Sequence, residues 1–267
     1  TRKESSAASD VYKRQVYTMD NLNETIKLMM NHRTIRAFED KTLSDEQVKT
    51  LVQAAQMAPT SSHRQVYSII GITDPEVKKE LREISGQPYV EANGHLFVFV
   101  ADHYRHSQLE GFDAEVMTQT FETTEGFIVG VVDAALAAQS LNLAAESLGL
   151  GACFLGSLRN DIKRVSELLQ LPPYTMPVFG LAVGYPTDEG SQKERLPMDV
   201  VYHENTYETE GLKEKIAEYD ENIRAYYQSR DENKKDANWT NIILKSLQRK
   251  YRYDVDDYVK SQGFLKQ

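Results

Sequence analysis

The chain has 267 residues, 40% of them apolar, 27% charged and 9% aromatic, enough to bury one substantial core. Against 31 basic side chains stand 40 acidic ones, a net charge of -9. No block of five like charges concentrates a basic face, which argues against nucleic acid as a partner. The single cysteine, Cys153, excludes an internal disulfide framework and a multi-cysteine zinc site, and fits a reducing cytoplasm.

The first residues, TRKESSAASDVYKRQ, are polar and aperiodic, without the apolar core of a signal peptide. Residues 1–18 are therefore expected to be a disordered or non-native leader, with the folded chain starting at Met19. Asn21-x-x-Glu24 has capping spacing, and Ile26, Met29 and Met30 give a first helix ending near Asn31. Ser44 with Gln47 forms a capping box for a second helix through Val48, Leu51, Val52 and Ala55, stopped by Pro59. Val66 to Thr73 and Leu96 to Ala101 read as buried strands, separated by a helix from Pro75 to about Ile84.

The longest apolar stretch, Phe127 to Leu150, carries Asp133, Gln139, Asn142 and Glu146, each costly in hydrocarbon. It reads as a buried helix over Glu125 to Leu148, about 36 Å long, rather than a membrane span. Its alanines allow close helix approach, so it is expected at the centre of the domain or at a subunit interface. Ala152 to Leu155 and Val178 to Val183 are two further strands, flanking a helix from Asp161 to Leu171 that Asn160 can cap. Such alternation indicates an α/β or α+β layered domain. Residues 188–267 are charged and rich in tyrosine, with helices near 211–229, 236–248 and 254–261, a helical excursion on a main body of 19–187.

Several familiar motifs fail. Gly149-x-Gly151-x-x-x-x-Gly156 follows a helix and enters a strand, the reverse of a dinucleotide fingerprint, and its third glycine is two residues late. Neither a phosphate-binding G-x-x-x-x-G-K-[ST] loop nor a G-x-S-x-G elbow is present. His103 and His106 lack a third ligand nearby and read as surface residues, and Cys153 reads as a small hydrophobe within a strand.

Three polar clusters remain: Asn31-His32-Arg33-Thr34-Ile35-Arg36, Pro59-Thr60-Ser61-Ser62-His63-Arg64-Gln65, and Lys193-Glu194-Arg195. A helix C-terminus favours one or two cations. The second cluster alone is an ordinary loop, and the third alone a solvated charge pair. Together, on a chain of net charge -9, cations gathered with hydroxyls point to an anion site such as one for phosphate.

The same clusters carry a family resemblance. His32 to Arg36, Pro59-Thr60-Ser61-Ser62-x-x-Gln65, Gly86-Gln87-Pro88, Glu146-Ser147-Leu148-Gly149-Leu150-Gly151, Gly156-x-Leu158-Arg159-Asn160, Lys193-x-Arg195-Leu196-Pro197 and His203-Glu204-Asn205-x-Tyr207 occur in order. From Met19 to Gln267 the chain resembles the oxygen-insensitive, flavin-dependent nitroreductases of the major NADPH-dependent group, which includes flavin reductases. The resemblance implies an α+β fold with a central, mostly antiparallel sheet flanked by helices. It further implies a single FMN-binding domain over 19–267 and an intertwined homodimer with one FMN per subunit in clefts between the chains.

By the same resemblance His32, Arg33, Thr34, Lys193 and Arg195 hold the FMN phosphate and ribityl chain, and Arg36 and Gln87 face the polar edge of the ring. Thr60, Ser62 and Gln65 reach the cofactor from the other subunit, and the backbone of Phe154, Leu155, Gly156 and Ser157 lines one side of the ring. Ser157 stands where the family leads one to expect glycine. Arg230, with Lys234 or Lys235, is the implied contact for the NADPH 2′-phosphate. The implied reaction passes a hydride from NADPH through FMN to a small-molecule acceptor (a nitroaromatic, a quinone or free flavin) in ping-pong order, with no protein nucleophile. A non-catalytic flavin- or nucleotide-binding dimer and a dedicated reductase feeding a partner are the alternatives.

Overall fold

The computed structural model describes residues 22–229, 236–248 and 252–266; the leader, Asn21, Arg230, Lys234 and Lys235 lie outside them. Helix α1 (Glu24–Met30) is capped by Asn23, whose side chain accepts the Ile26 amide at 2.9 Å. The cap is thus two residues later than Asn21, next to the first helical residue. Helix α2 (Asp45–Gln56) carries the full capping box of Ser44 and Gln47. Strand β1 (Tyr67–Ile72) leads to α3 (Pro75–Ser85), and β2 (His95–Asp102) to the short α4 (Tyr104–Ser107).

Helix α5 (Ala114–Glu122) buries only Phe121, and so has no apolar periodicity to betray it in the sequence. Next come α6 (Thr124–Ser147), β3 (Gly151–Leu155), a 3-10 turn, α7 (Ile162–Leu168) and β4 (Thr175–Gly184). Asp161, not Asn160, caps α7 by accepting the Arg164 amide at 3.0 Å. Asn160 instead reaches the Ile84 carbonyl at 3.4 Å, and α7 stops at Leu168 rather than Leu171.

The four strands form one antiparallel sheet in the order β1-β2-β4-β3. Every residue of β2 is buried, because helices cover both faces. Phe97, Phe99 and Ala101 alternate onto the face covered by α2 and α6, meeting Leu51, Ala134, Ala138 and Leu141. Leu96, Val98 and Val100 face the opposite layer, with Leu81, Ile84 and Val165. Phe99 pairs with Phe179 but Val100 with Pro177, so Val178 is an extra residue in β4. The bulge accommodates a proline that cannot donate to the ladder, and Arg159 donates to the freed Val178 carbonyl.

Helix α6 is long and apolar enough to cross a membrane by length and composition. Here it is a core helix: Asp133, Ala134, Ala137, Ala138, Leu141 and Ala145 are buried. A Cβ at Gly130 would lie 3.0 Å from the Ala101 Cβ, so the glycine lets the helix approach β2. Its opposite face leaves Ile128 and Val132 each 47% exposed.

Residues up to Gln192, with those from Asp254 onward, make one compact unit; Lys193–Tyr253 make a second. In the first, α11 (Asp254–Ser261) buries Tyr258 and Val259, and Phe264 is fully buried. Residues 254–266 therefore pack with the main body, although composition groups them with 188–253. The second unit holds α8 (Met198–Val201), α9 (Leu212–Ser229) and α10 (Trp239–Leu247). There Tyr219 meets Trp239 edge-on with ring centres 6.0 Å apart, and Asp220 accepts the Thr240 amide at 2.8 Å.

Two histidines are buried. His103 is not a surface residue: it is 1% exposed, stacks on Phe121 at 4.6 Å and donates through Nε2 to the Gly126 carbonyl at 2.8 Å. His106 is half-buried and donates to the Arg64 carbonyl at 2.8 Å. His95 lies over Gly71, where any Cβ would stand 2.8 Å from its Nε2, and that nitrogen has no hydrogen bond among the described residues.

Burial, reinforced by the Lys78 charge, pushes the His95 pKa down to about 4, and burial lowers that of His103. As pH falls below the unfolded value of about 6.5, the unfolded chain takes up these protons first, so stability is lost; for His95 the loss ends near pH 4. His95→Gln is expected to flatten the decline by up to about one proton per molecule. Urea midpoints measured across this pH range check it, and an unchanged slope would clear His95 of the effect.

Candidate functional site

The loop after α1 lies along the sheet edge. The Ile35 amide donates to the Ala152 carbonyl of β3 at 3.0 Å, and Phe38 bridges to Pro186. A Cβ on Gly151 would stand 2.7 Å from the buried Ile35 side chain, so this glycine admits the loop to the sheet. His32 is fixed by Glu146 near the end of α6, Nδ1 to Oε1 2.5 Å. A carboxylate only accepts, so Nδ1 carries the proton and Nε2 is left for another partner. Glu146 is itself oriented by the Asn142 amide at 3.1 Å. Arg33 donates to the Glu189 carbonyl at 3.3 Å, and Thr34 and Ile35 lie under Gly190.

Arg36 is exposed. Its guanidinium lies beside the Tyr89 hydroxyl and the Cys153 thiol, which are also neighbours of each other. Burial raises the pKa of both, against the pull of the Arg36 charge. This contact joins the 32–36 loop to Gln87, two residues before Tyr89, and to Phe154, Leu155 and Gly156. Phe154 is 41% exposed in a strand whose other four residues are buried. Ser157 shares a 2.5 Å hydrogen bond with Ser85, which ties the turn after β3 to the end of α3. The structure thus brings His32, Arg33, Thr34, Arg36, Gln87 and Phe154 to Ser157 to one edge of the sheet.

Thr60, Ser62 and Gln65 form a separate group. Ser62, His63 and Gln65 have φ of 51°, 57° and 54°, a left-handed conformation that costs L-residues about 1–2 kcal/mol each. Such strain persists only where surrounding contacts fix it. Ser62 and Gln65 are exposed, and Thr60 is half-buried. The loop is anchored to Asp133 through the Ser61 and Val66 amides. Asp133 and Glu146 are both on α6, 13 positions apart, which corresponds to about 20 Å of helix axis. One group is therefore anchored at the middle of the helix and the other near its C-terminal end.

Lys193 and Arg195 belong to the second unit, where they line a cavity of about 650 Å³ with Met198, Tyr202, Tyr219 and Trp239. Arg195 donates to the Lys193 carbonyl at 2.6 Å. The proposed 2′-phosphate residues Arg230, Lys234 and Lys235 lie outside the described residues. Sequence reading missed the supporting partners Glu146, Tyr89, Ser85 and Asp133. Asp133 and Glu146 showed as carboxylates interrupting an apolar helix, and Glu146 also opens a family motif, but neither was given a role.

Residues 29–185 match the Nitroreductase family, and residues 193–267 match the Nitroreductase family C-terminal domain. The chain belongs to the nitroreductase family. Among its relatives is a protein of Bacillus subtilis (strain 168) named FMN reductase (NADPH), 48% identical over 248 residues, covering 92% of this chain and all of the relative. An NADPH-dependent oxidoreductase of Staphylococcus haemolyticus is 48% identical over 244 residues, covering 90% of this chain and 97% of the relative. The solved structure of NfrA1 nitroreductase from B. subtilis superposes with a TM-score of 0.88 at 48% identity, covering 91% of this chain and 100% of that one. This nitroreductase therefore has the α+β fold of the family, with its sheet antiparallel throughout.

Proposed function

We propose that this nitroreductase is an NADPH-dependent oxidoreductase that carries FMN and reduces nitroaromatics, quinones or free flavin as a cytoplasmic homodimer. The observation that carries the reading is the meeting of three segments, 32–36, 87–89 and 153–157, around an exposed Arg36 flanked by Tyr89 and Cys153. The donor set fits FMN. Cations and a hydroxyl at His32, Arg33 and Thr34 suit a phosphate and polyol, and an exposed aromatic ring in a buried strand suits a flat, apolar ring system.

When bound, FMN supplies the two-electron chemistry between NADPH and acceptor. His32, aligned by Glu146, would hold the phosphate end with Arg33 and Thr34. Arg36 would hold positive charge against the polar edge of the ring, where negative charge builds on reduction, with Gln87 beside it. Backbone at Phe154, Leu155, Gly156 and Ser157 would line one face. Thr60, Ser62 and Gln65 would reach the cofactor across the subunit interface, which explains why one chain holds them far along α6 from His32. Arg230, with Lys234 or Lys235, is assigned to the 2′-phosphate of NADPH. Donor and acceptor using one face in turn gives ping-pong kinetics.

The absorption spectrum of the purified protein, before and after anaerobic NADPH, tests this. A flavin band that bleaches is expected. A colourless protein that binds no added FMN overturns the reading, and a yellow protein inert to NADPH makes it a carrier.

A further inference from the structure

Asp133 is fully buried in the middle of α6, and no ion pair to it is found among the described residues. A carboxylate in such a place is retained only where its oxygens are satisfied. Both are spent on one loop: Oδ1 accepts the Ser61 amide at 3.0 Å, and Oδ2 accepts the Val66 amide at 2.9 Å. The two amides bracket the left-handed residues Ser62, His63 and Gln65. From the other side, His106 donates to the Arg64 carbonyl at 2.8 Å and Arg105 to the Gln65 carbonyl at 3.3 Å. The carboxylate holds the loop's donors while the His106 and Arg105 side chains hold its acceptors. Among the described residues, the Gln65 side-chain amide is held only by 3.4 Å contacts to His63.

We infer that Asp133 is a positioning residue for FMN: by clamping both ends of the 61–66 loop it sets Ser62 and Gln65 in a strained, ready conformation before the cofactor arrives. The inference rests on the assignment of Thr60, Ser62 and Gln65 to FMN. An alanine would suit the alanine-rich core face but would leave the part-buried Ser61 amide and the buried Val66 amide without this partner. Preorganisation is worth affinity because the ordering cost is met in the apoprotein.

Three variants test it: Asp133→Asn, Gln65→Ala and the double variant. Asparagine keeps the volume but has one acceptor oxygen, so one of the two amides faces an NH₂ group. FMN dissociation constants come from titrating the apoprotein while following flavin fluorescence. Asp133→Asn is expected to raise the constant about 10-fold, Gln65→Ala several-fold, and the double variant no more than Asp133→Asn alone, because both act through the same side chain. Multiplying effects, or an unchanged constant in Asp133→Asn, would overturn the inference. If Gln65→Ala also leaves FMN binding unaltered, the flavin assignment of the loop falls with it; if only Asp133→Asn is silent, that assignment stands. Hydrogen exchange of the wild-type apoprotein is independent of any variant's folding. The Ser61 and Val66 amides should already be protected, and protection gained only with FMN would reject preorganisation by Asp133.

Discussion

Arg36→Ala is expected to slow reduction of the bound flavin by NADPH about 100-fold, the usual loss when one aimed donor at a developing charge is removed, while weakening FMN retention only a few-fold. The asymmetry follows from the division of labour. His32 with Glu146, Arg33 and Thr34 remain to hold the phosphate end. Arg36, beside Tyr89 and Cys153, is the cation assigned to the polar edge of the ring. Lysine should recover part of the rate but lacks the fork that engages both neighbours. Anaerobic stopped-flow mixing with NADPH reads the first quantity and fluorescence titration the second. A normal rate with FMN in place would remove Arg36 from its role.

A second large effect is expected at the exposed face of α6. Ile128, Val132 and Leu136, 47%, 47% and 39% exposed, recur every four residues and so form one stripe. Leu148 and Met29 add further exposed apolar surface, each 49% exposed. Contiguous apolar surface of this kind marks an interaction site, and in the proposed homodimer a two-fold partner would pair the stripe with itself. Val132→Glu combined with Leu136→Glu puts like charges against each other in that contact, at a cost of several kcal/mol. Light scattering should show the mass fall to that of one chain. FMN affinity should fall more than 100-fold, because the two halves of the site would no longer meet. A variant that stays dimeric, or a monomer that binds FMN normally, would count against the shared site.

Much of the first unit was legible because local chemistry and tertiary structure agree there. The Ser44 and Gln47 capping box, the β-branched runs of β1 and β2, and the small residues of α6 each say locally what the fold does with them. What escaped depends on distant partners. His103 sits in a polar stretch and looks like surface, yet Phe121 and Phe264 close over it from far along the chain. Asp133 and Glu146 could be placed on α6, but the loop groups they hold are 67 to 114 residues away, beyond any spacing rule. The polar clusters at 31–36 and 59–65 were visible as compositional oddities. Family resemblance, rather than spacing, supplied their roles, and the left-handed conformations at Ser62, His63 and Gln65 carry no glycine to announce them.

Cys153, the lone thiol of the chain, is 4% exposed in β3, the edge strand of the sheet. Burial raises its pKa, so little of it is thiolate at neutral pH. An alkylating reagent can reach it only when that margin of the protein opens. Labelling speed therefore becomes a stopwatch for the breathing of one strand, set against the slower global unfolding of the whole molecule.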